Sequence, residues 1–422
     1  MALIDEVKSI SIKDYSYDLP ETRIAKFPVN PRDTSKLLLY RDGRISSDIF
    51  RNLPDYLPEH SLLIYNNTRV IRARLFFHKE TGAQIEIFCL EPLTPADYAQ
   101  NFQAQGSCEW LCLVGNLKKW KGGSLSRSLV VEGKEVFFSA ECLGQHDKAQ
   151  RIRFSWTPAQ VAFGDLLEAA GQIPIPPYLN RESQQSDEQS YQTVYSRIEG
   201  SVAAPTAGLH FTPEVLQNID NRHIGRREVT LHVSASTFQP VKSEQMDGHP
   251  MHLEFISVEA ALIQELINCE ERVTAVGTTS VRTLESLYWF GVHCLEQPEA
   301  HEAWTLDQWY PYQPHKDYST PEALRALLAH LKANGEDVFT AATRLLIAPG
   351  YRFKVVSDII TNFHQPQSTL LLLVAAYVGQ DWRKIYDYAL ANDFRFLSYG
   401  DSSLLQCRQS QVSQSCPVQG NK

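Results

Sequence analysis

Five stretches of the 422-residue chain carry side chains suited to chemistry. In VAAPTAGLHFTPEVL (202–216), small residues and Gly208 lead into His210, and Thr212-Pro213 opens a helix. Such a loop brings backbone amides and an imidazole close to a ligand, although an ordinary tight loop with a hydrogen-bonded histidine shows the same pattern. RVTAVGTTSVRTLESL (272–287) reads as a strand that breaks at Gly277 and enters a helix through Thr278, Thr279 and Ser280. Unsatisfied N–H groups and three hydroxyls at a helix N-terminus favour an anion, either a phosphate or the carboxylate of an amino acid. Arg282 on the first turn adds a two-pronged donor. A plain capped strand-to-helix junction is the competing reading.

The third stretch, HPMHLEF (249–255), alternates His249, His252 and Glu254 along an expected strand. Alternation does not aim both imidazoles at one point, so polar lining of a site is favoured over metal ligation. The neighbouring TLHVSASTFQPV (230–241) adds His232 with the same ambiguity. In the fourth, 345–377, Tyr351, Arg352 and Lys354 interleave aromatic and basic groups, which suits stacking on bases and pairing with phosphates. Asn362 and His364 end a strand-like run there, just before a Pro turn. The fifth is basic: Arg69, Arg72 and Arg74 in NNTRVIRARL, then Lys118, Lys119, Trp120 and Lys121. A charge run is usually a solvated face, and contact with RNA is the sharper alternative.

The elements that must position these groups follow from periodicity. The apolar run KLLLY followed by the turn at Asp42-Gly43 is a hairpin signal. From 60 to about 155, short β-runs separated by glycines and polar clusters predict a small antiparallel barrel or sandwich. After Trp156, strand-like runs alternate with helical patterns, the α/β signature. Helices are expected over 259–271, with Leu262, Ile263, Leu266 and Ile267 on one face, over 321–334 with Thr320 as N-cap, and over 382–391. The polar segments 181–190 and 406–422 are expected to be mobile.

Composition bounds the class. With 43% apolar and 21% charged residues the chain is neither disordered nor fibrous. A net charge of −9 means that nucleic acid must be gripped by a local basic patch. Eight scattered cysteines without a CxxC point to reduced thiols. The first residues, MALIDEVKSISIKD, show no signal-peptide pattern, and TLLLLVAAYVG (369–379) is too short to span a membrane. A cytoplasmic protein is expected.

Read together, DYSYDLPETRIAKFPVNPRDTSKLL, LIYNNTRVIRARL, GQIPIPPYLNR, YQTVYSRIEGSVAAPTAGLHFT, VGTTSVRTLES, PGYRFKVVSDIITNFHQPQSTLLLLVAA and FRFLSYGDSSLL resemble the S-adenosylmethionine:tRNA ribosyltransferase-isomerase family of queuosine biosynthesis, from about residue 13 to 405. The resemblance implies an α/β main domain (1–59 and 156–405), an inserted small antiparallel β-barrel domain (60–155) and a disordered tail (406–422). It implies transfer and isomerisation of the ribosyl moiety of S-adenosylmethionine onto 7-aminomethyl-7-deazaguanine at the wobble position of a tRNA with a GUN-type anticodon. Epoxyqueuosine, adenine and methionine are the expected products. No metal and no cofactor beyond S-adenosylmethionine as substrate is implied, and a monomer without membrane contact is expected.

On that reading His210, then His252 and His232, are the candidate acid–base groups. Thr278, Thr279, Ser280, Arg282, Tyr351, Asn362 and His364 are the substrate-binding candidates, and Arg69, Arg72, Arg352 and Lys354 the tRNA-binding ones. Departures from the family pattern are the long stretch 289–343, Gln239 in TFQPV and VGNLKK at 114–119. A related transferase acting on another nucleoside, and an RNA-binding module without catalysis, are the alternatives. A metal hydrolase comes third.

Overall fold

Leu62–Asn66, Val273–Val276 and Asp358–Asn362 are buried at every residue, on both faces. Strands of that kind belong in the middle of a parallel sheet covered by helices. In the computed structural model, which describes residues 2–146, 149–233, 241, 243–297 and 304–407, they are the centre of a ten-stranded mixed sheet. The order is Thr305–Leu306, Val338–Thr343, Glu254–Glu259, Gly225–Leu231, Leu62–Asn66, Val273–Val276, Asp358–Asn362, Ser402–Gln406, Lys36–Arg41, Arg44–Ile49. Gly225–Leu231, Leu62–Asn66, Val273–Val276 and Asp358–Asn362 run parallel, and antiparallel strands flank them.

Alternate residues of the central strands feed two cores. Ile64 and Ala275 face the one built with the helices Ala260–Asn268, Gly277–Glu296, Thr320–Asn334 and Thr369–Val378. Leu63, Tyr65 and Val276 face the other, with Phe50, Phe211, Val215 and Ile219.

A second, wholly antiparallel sheet has seven strands, ordered Gly171–Gln172, Arg74–His78, Gln84–Thr94, Ser107–Gly115, Ala149–Thr157, Lys134–His146, Ser124–Val131. Register shifts within Gln84–Thr94 and at Arg151/Ile152 bend it, as bulges do. It curls over its own core of Phe77, Ile87, Trp110, Phe138, Phe154 and Phe163. Arg127 Nη1 reaches across the curl to donate to the Phe76 carbonyl at 2.9 Å.

Several local expectations differ from this structure. Leu62–Asn66, read with the small barrel, pairs instead in the ten-stranded sheet, and the antiparallel sheet extends past 155 to Gln172. A buried parallel strand and an antiparallel one look alike over five apolar residues, which is why the boundary at 60 is displaced. The helix Thr320–Asn334 is capped by Ser319, not Thr320, because only Ser319 has a glutamate three residues on to complete a reciprocal cap with Glu322. The segment 181–190 is anchored, since Asp187 is fully buried, takes two bonds from Arg181 at 2.7 Å and one from Tyr399 at 2.7 Å. Gln406 closes a strand and Cys407 is buried, while residues 408–422 and Gln239 lie outside the described residues.

The long stretch 289–343 is built into the main core through Leu324, Leu327, Leu328 and Leu331, and its Val338–Thr343 pairs with Glu254–Glu259. No helix among the described residues is long and apolar enough to cross a membrane.

Candidate active site

A cavity that gathers six of the expected groups opens where the central parallel strands end. The chain leaves Val273–Val276 into the helix Gly277–Glu296, and Asp358–Asn362 runs on to His364. Crevices at the carboxyl ends of parallel strands are the usual ligand sites of open α/β sheets, because the chain there turns away and exposes helix N-termini. Gly277 makes the turn at φ +85°, a backbone region that disfavours side chains, and sits 3.6 Å (from an ideal Cβ) from Ala207 of the opposing loop. The walls come from Ala203–Ala207, from His249, His252 and Glu254, from Gly277, Thr278, Thr279 and Arg282, and from Leu345–Ile347, Thr361–His364 and Leu397–Ser398.

The charged pair in this wall is Glu254 and Arg282, both buried and ion-paired through Arg282 Nη1. Arg282 Nε donates to the Leu345 carbonyl at 3.1 Å, so two of its donors hold it rigidly. Burial pushes the Glu254 carboxyl up, against the opposing pull of Arg282. His364 lines the cavity with Nε2 2.9 Å from Thr361 Oγ1, and burial takes its pKa down to about 4. His249, held down by burial and by the neighbouring His252, completes the polar wall with the more exposed His252.

His210 stands one layer behind. Asn362 Nδ2 donates to the Leu397 carbonyl at 2.9 Å, which turns Asn362 Oδ1 toward His210 Nε2 at 3.3 Å. That acceptor requires Nε2 to carry the proton, so His210 Nδ1 accepts from Ser35 Oγ at 2.8 Å. Burial lowers this imidazole to about 4, and Phe50 lies against it at 5.0 Å between ring centres. A neutral histidine with both nitrogens engaged orients Asn362 and the 397–398 turn that form the cavity floor.

A family model described as "Queuosine biosynthesis protein" matches residues 12–405. The chain belongs to that family. Proteins named S-adenosylmethionine:tRNA ribosyltransferase-isomerase are similar to it nearly end to end. The one from Trichlorobacter lovleyi is 40% identical, over 93% of this chain and 99% of its own length. The one from Thermotoga maritima is 36% identical, over 94% of this chain and 100% of its own. A crystal structure of S-adenosylmethionine tRNA ribosyltransferase from Thermotoga maritima matches with 28% identity and a TM-score of 0.44, over 93% of this chain and 99% of that one.

Within this member of the queuosine biosynthesis family, His252, Thr278, Thr279, Arg282, Asn362 and His364 share the cavity, and the other candidates stand elsewhere. Ser280 turns its hydroxyl back onto the Val276 carbonyl at 2.7 Å. His232 stacks on Tyr98 at 4.4 Å, and burial holds it down to about 4. Tyr351 is buried against Glu285, donating to it at 2.8 Å while accepting from Trp289 Nε1 at 2.8 Å. Arg72 is tied to Glu168 at 3.0 Å and Glu188 at 3.1 Å, in a separate cavity that it shares with Arg69 and Glu199. Arg352 is exposed, whereas Lys354 pairs with Asp317 at 3.3 Å. Trp120 is buried in the core of the antiparallel sheet, donates Nε1 to the Gly123 carbonyl at 3.0 Å, and offers no stacking face.

Two acidic groups that the sequence does not single out as site residues are built into the cavity wall or its support. The sequence suggests Glu254 only as part of an alternating strand, but the strand begins at Glu254 itself and both histidines precede it in irregular chain. Glu285 accepts from the backbone N–H of Lys354, Val355 and Val356, each at 2.9 Å, and from Tyr351. Its signal in the sequence was a lone acid in the helical run Thr283–Val292, every residue of which is buried.

Proposed function

We propose that the protein transfers the ribosyl moiety of S-adenosylmethionine to 7-aminomethyl-7-deazaguanine at the wobble position of a GUN-anticodon tRNA and isomerises it to epoxyqueuosine, releasing adenine and methionine. What supports the reading is that VAAPTAGLHF, GTTSVR and TNFH, dispersed from 202 to 364, contribute walls or backing to one cavity. The sulfonium acidifies the ribose C5′ protons; a base removes one, and the adenine that departs takes up a proton. His252 and His249 stand in the cavity wall for these transfers, while His210 positions Asn362 behind it. Arg69 and Arg352 are the exposed basic groups for the tRNA backbone. S-adenosylmethionine is substrate, with no metal in the proposal, and the curled antiparallel sheet acts as an inserted small β-barrel of a cytoplasmic monomer.

The test is product analysis. The protein is incubated with S-adenosylmethionine and a tRNA carrying the 7-aminomethyl-7-deazaguanine base, and the digested nucleosides are weighed. Epoxyqueuosine with stoichiometric adenine and methionine supports the reading. Adenine release without a modified wobble base points to another acceptor, and tRNA binding without turnover to a binding module.

A further inference from the structure

Among the described residues, two polar atoms in the cavity wall are buried and lack a partner: Thr279 Oγ1 and Arg282 Nη2. Arg282 is only 8% exposed, and its other donors are spent on Glu254 and the Leu345 carbonyl. A buried guanidinium arm without an acceptor costs free energy that a bound anion would recover. Both atoms belong to the first two turns of the 20-residue helix Gly277–Glu296, whose N-terminus has no side-chain cap. Its leading N–H groups therefore lack intrahelical partners and add positive potential at the same wall. Two neighbouring hydroxyls do not compete, since Ser280 bonds Val276 and Thr283 bonds Thr279 along the helix; Thr278 lines the cavity beside the two atoms.

We propose that Thr279 Oγ1, Arg282 Nη2 and the leading amides of this helix form the seat of a single carboxylate, that of the aminoacyl end of S-adenosylmethionine. This rests on the reading above, and it fixes the direction in which that substrate lies. Glu254 sets the valence of the seat. It already neutralises part of Arg282, so together with the helix N-terminus the seat suits a single negative charge and disfavours the dianion of a phosphate monoester; a backbone phosphodiester, itself a monoanion, is separated by the experiment below. Glu254 is thus a positioning residue that aims Arg282.

The experiment compares S-adenosylmethionine with its decarboxylated form by calorimetric titration. Wild type should bind the decarboxylated ligand roughly 10- to 100-fold more weakly. Thr279→Val and Arg282→Lys should each weaken S-adenosylmethionine roughly tenfold and leave the affinity for the decarboxylated form unchanged. Equal wild-type affinity for the two ligands overturns the seat while the proposed function stands, as does an equal loss of both ligands in Thr279→Val with an unchanged melting temperature. A loss of tRNA affinity alone in these variants would assign the anion to a backbone phosphate and also overturn it. No binding of S-adenosylmethionine by wild type would instead sink the functional reading itself.

Discussion

At the scale of single residues, the cavity separates groups that line it from groups that stand behind and hold them. His210 has both ring nitrogens engaged and is held neutral, so it cannot exchange a proton at the cavity without breaking a bond. His210→Ala should therefore lower turnover by about 10- to 100-fold without moving the pH midpoint of kcat/KM. His252→Ala should remove a limb of that profile. Identical profile shapes for the two variants would contradict this division, and near-normal turnover in His210→Ala would remove its role altogether. The buried imidazoles also carry a stability consequence. His210 and His364 sit at about 4 in the folded chain, against about 6.5 unfolded, so the unfolded state binds more protons below pH 6.5. Their contribution is complete above 6.5 and is lost as pH falls from 6.5 toward 4. Glu254 and Glu285, raised by burial, act with the opposite sign, so the clean measurement is a difference. Relative to wild type, His364→Gln should gain about 3 kcal/mol between pH 7 and pH 4, read from urea unfolding.

At the scale of elements, the helix Gly277–Glu296 organises the site from both ends of its first three turns. Its N-terminus faces the cavity, and Glu285 below it clamps the backbone of 354–356 and the Tyr351 hydroxyl. Four donors satisfy one buried carboxylate, so its loss orphans all of them. Glu285→Ala should cost about 3–5 kcal/mol in urea unfolding; a loss under 1 kcal/mol would show that water replaces the clamp. Gly277 is the other hinge. An added methyl meets nothing closer than 3.5 Å, so only the φ of +85° penalises it. Gly277→Ala should cost about 1–2 kcal/mol and displace the helix start. Weaker binding of S-adenosylmethionine at an unchanged tRNA affinity would mark that displacement.

At the scale of the whole molecule, one sheet positions the cavity and another curls over its own core, and Thr68–Val70, which lies between Leu62–Asn66 and Arg74–His78 in the chain, pairs with Ile198–Ser201 in a separate two-stranded sheet. Net charge of −9 disfavours RNA globally, so any grip on tRNA must be local and salt-dependent. Arg352→Ala should reduce tRNA affinity and flatten its salt dependence by about one unit of slope, and Arg72→Ala should not, since Arg72 is already paired with two glutamates. A change of slope in Arg72→Ala alone would reverse this assignment.

Much of this was legible before any coordinates. The Asp42-Gly43 hairpin, the helix faces led by Leu262 and Leu324, and the break at Gly277 follow from local rules acting over a few residues. So did the family, through motifs spread along most of the chain. The sequence by itself thus determined which side chains were available and which elements carry them. Only the tertiary structure decided which of them meet. Periodicity reports which face of an element is apolar, but a shared wall depends on strand order between segments some 150 residues apart, such as His210 and Asn362. It also cannot distinguish a tyrosine that faces a ligand from Tyr351, whose hydroxyl serves a buried carboxylate, or a tryptophan that stacks on a base from Trp120, which fills a core. Burial is a property of the packed whole, and it moved His210 behind the wall, gave Arg282 an unspent arm and brought Glu254 to its side.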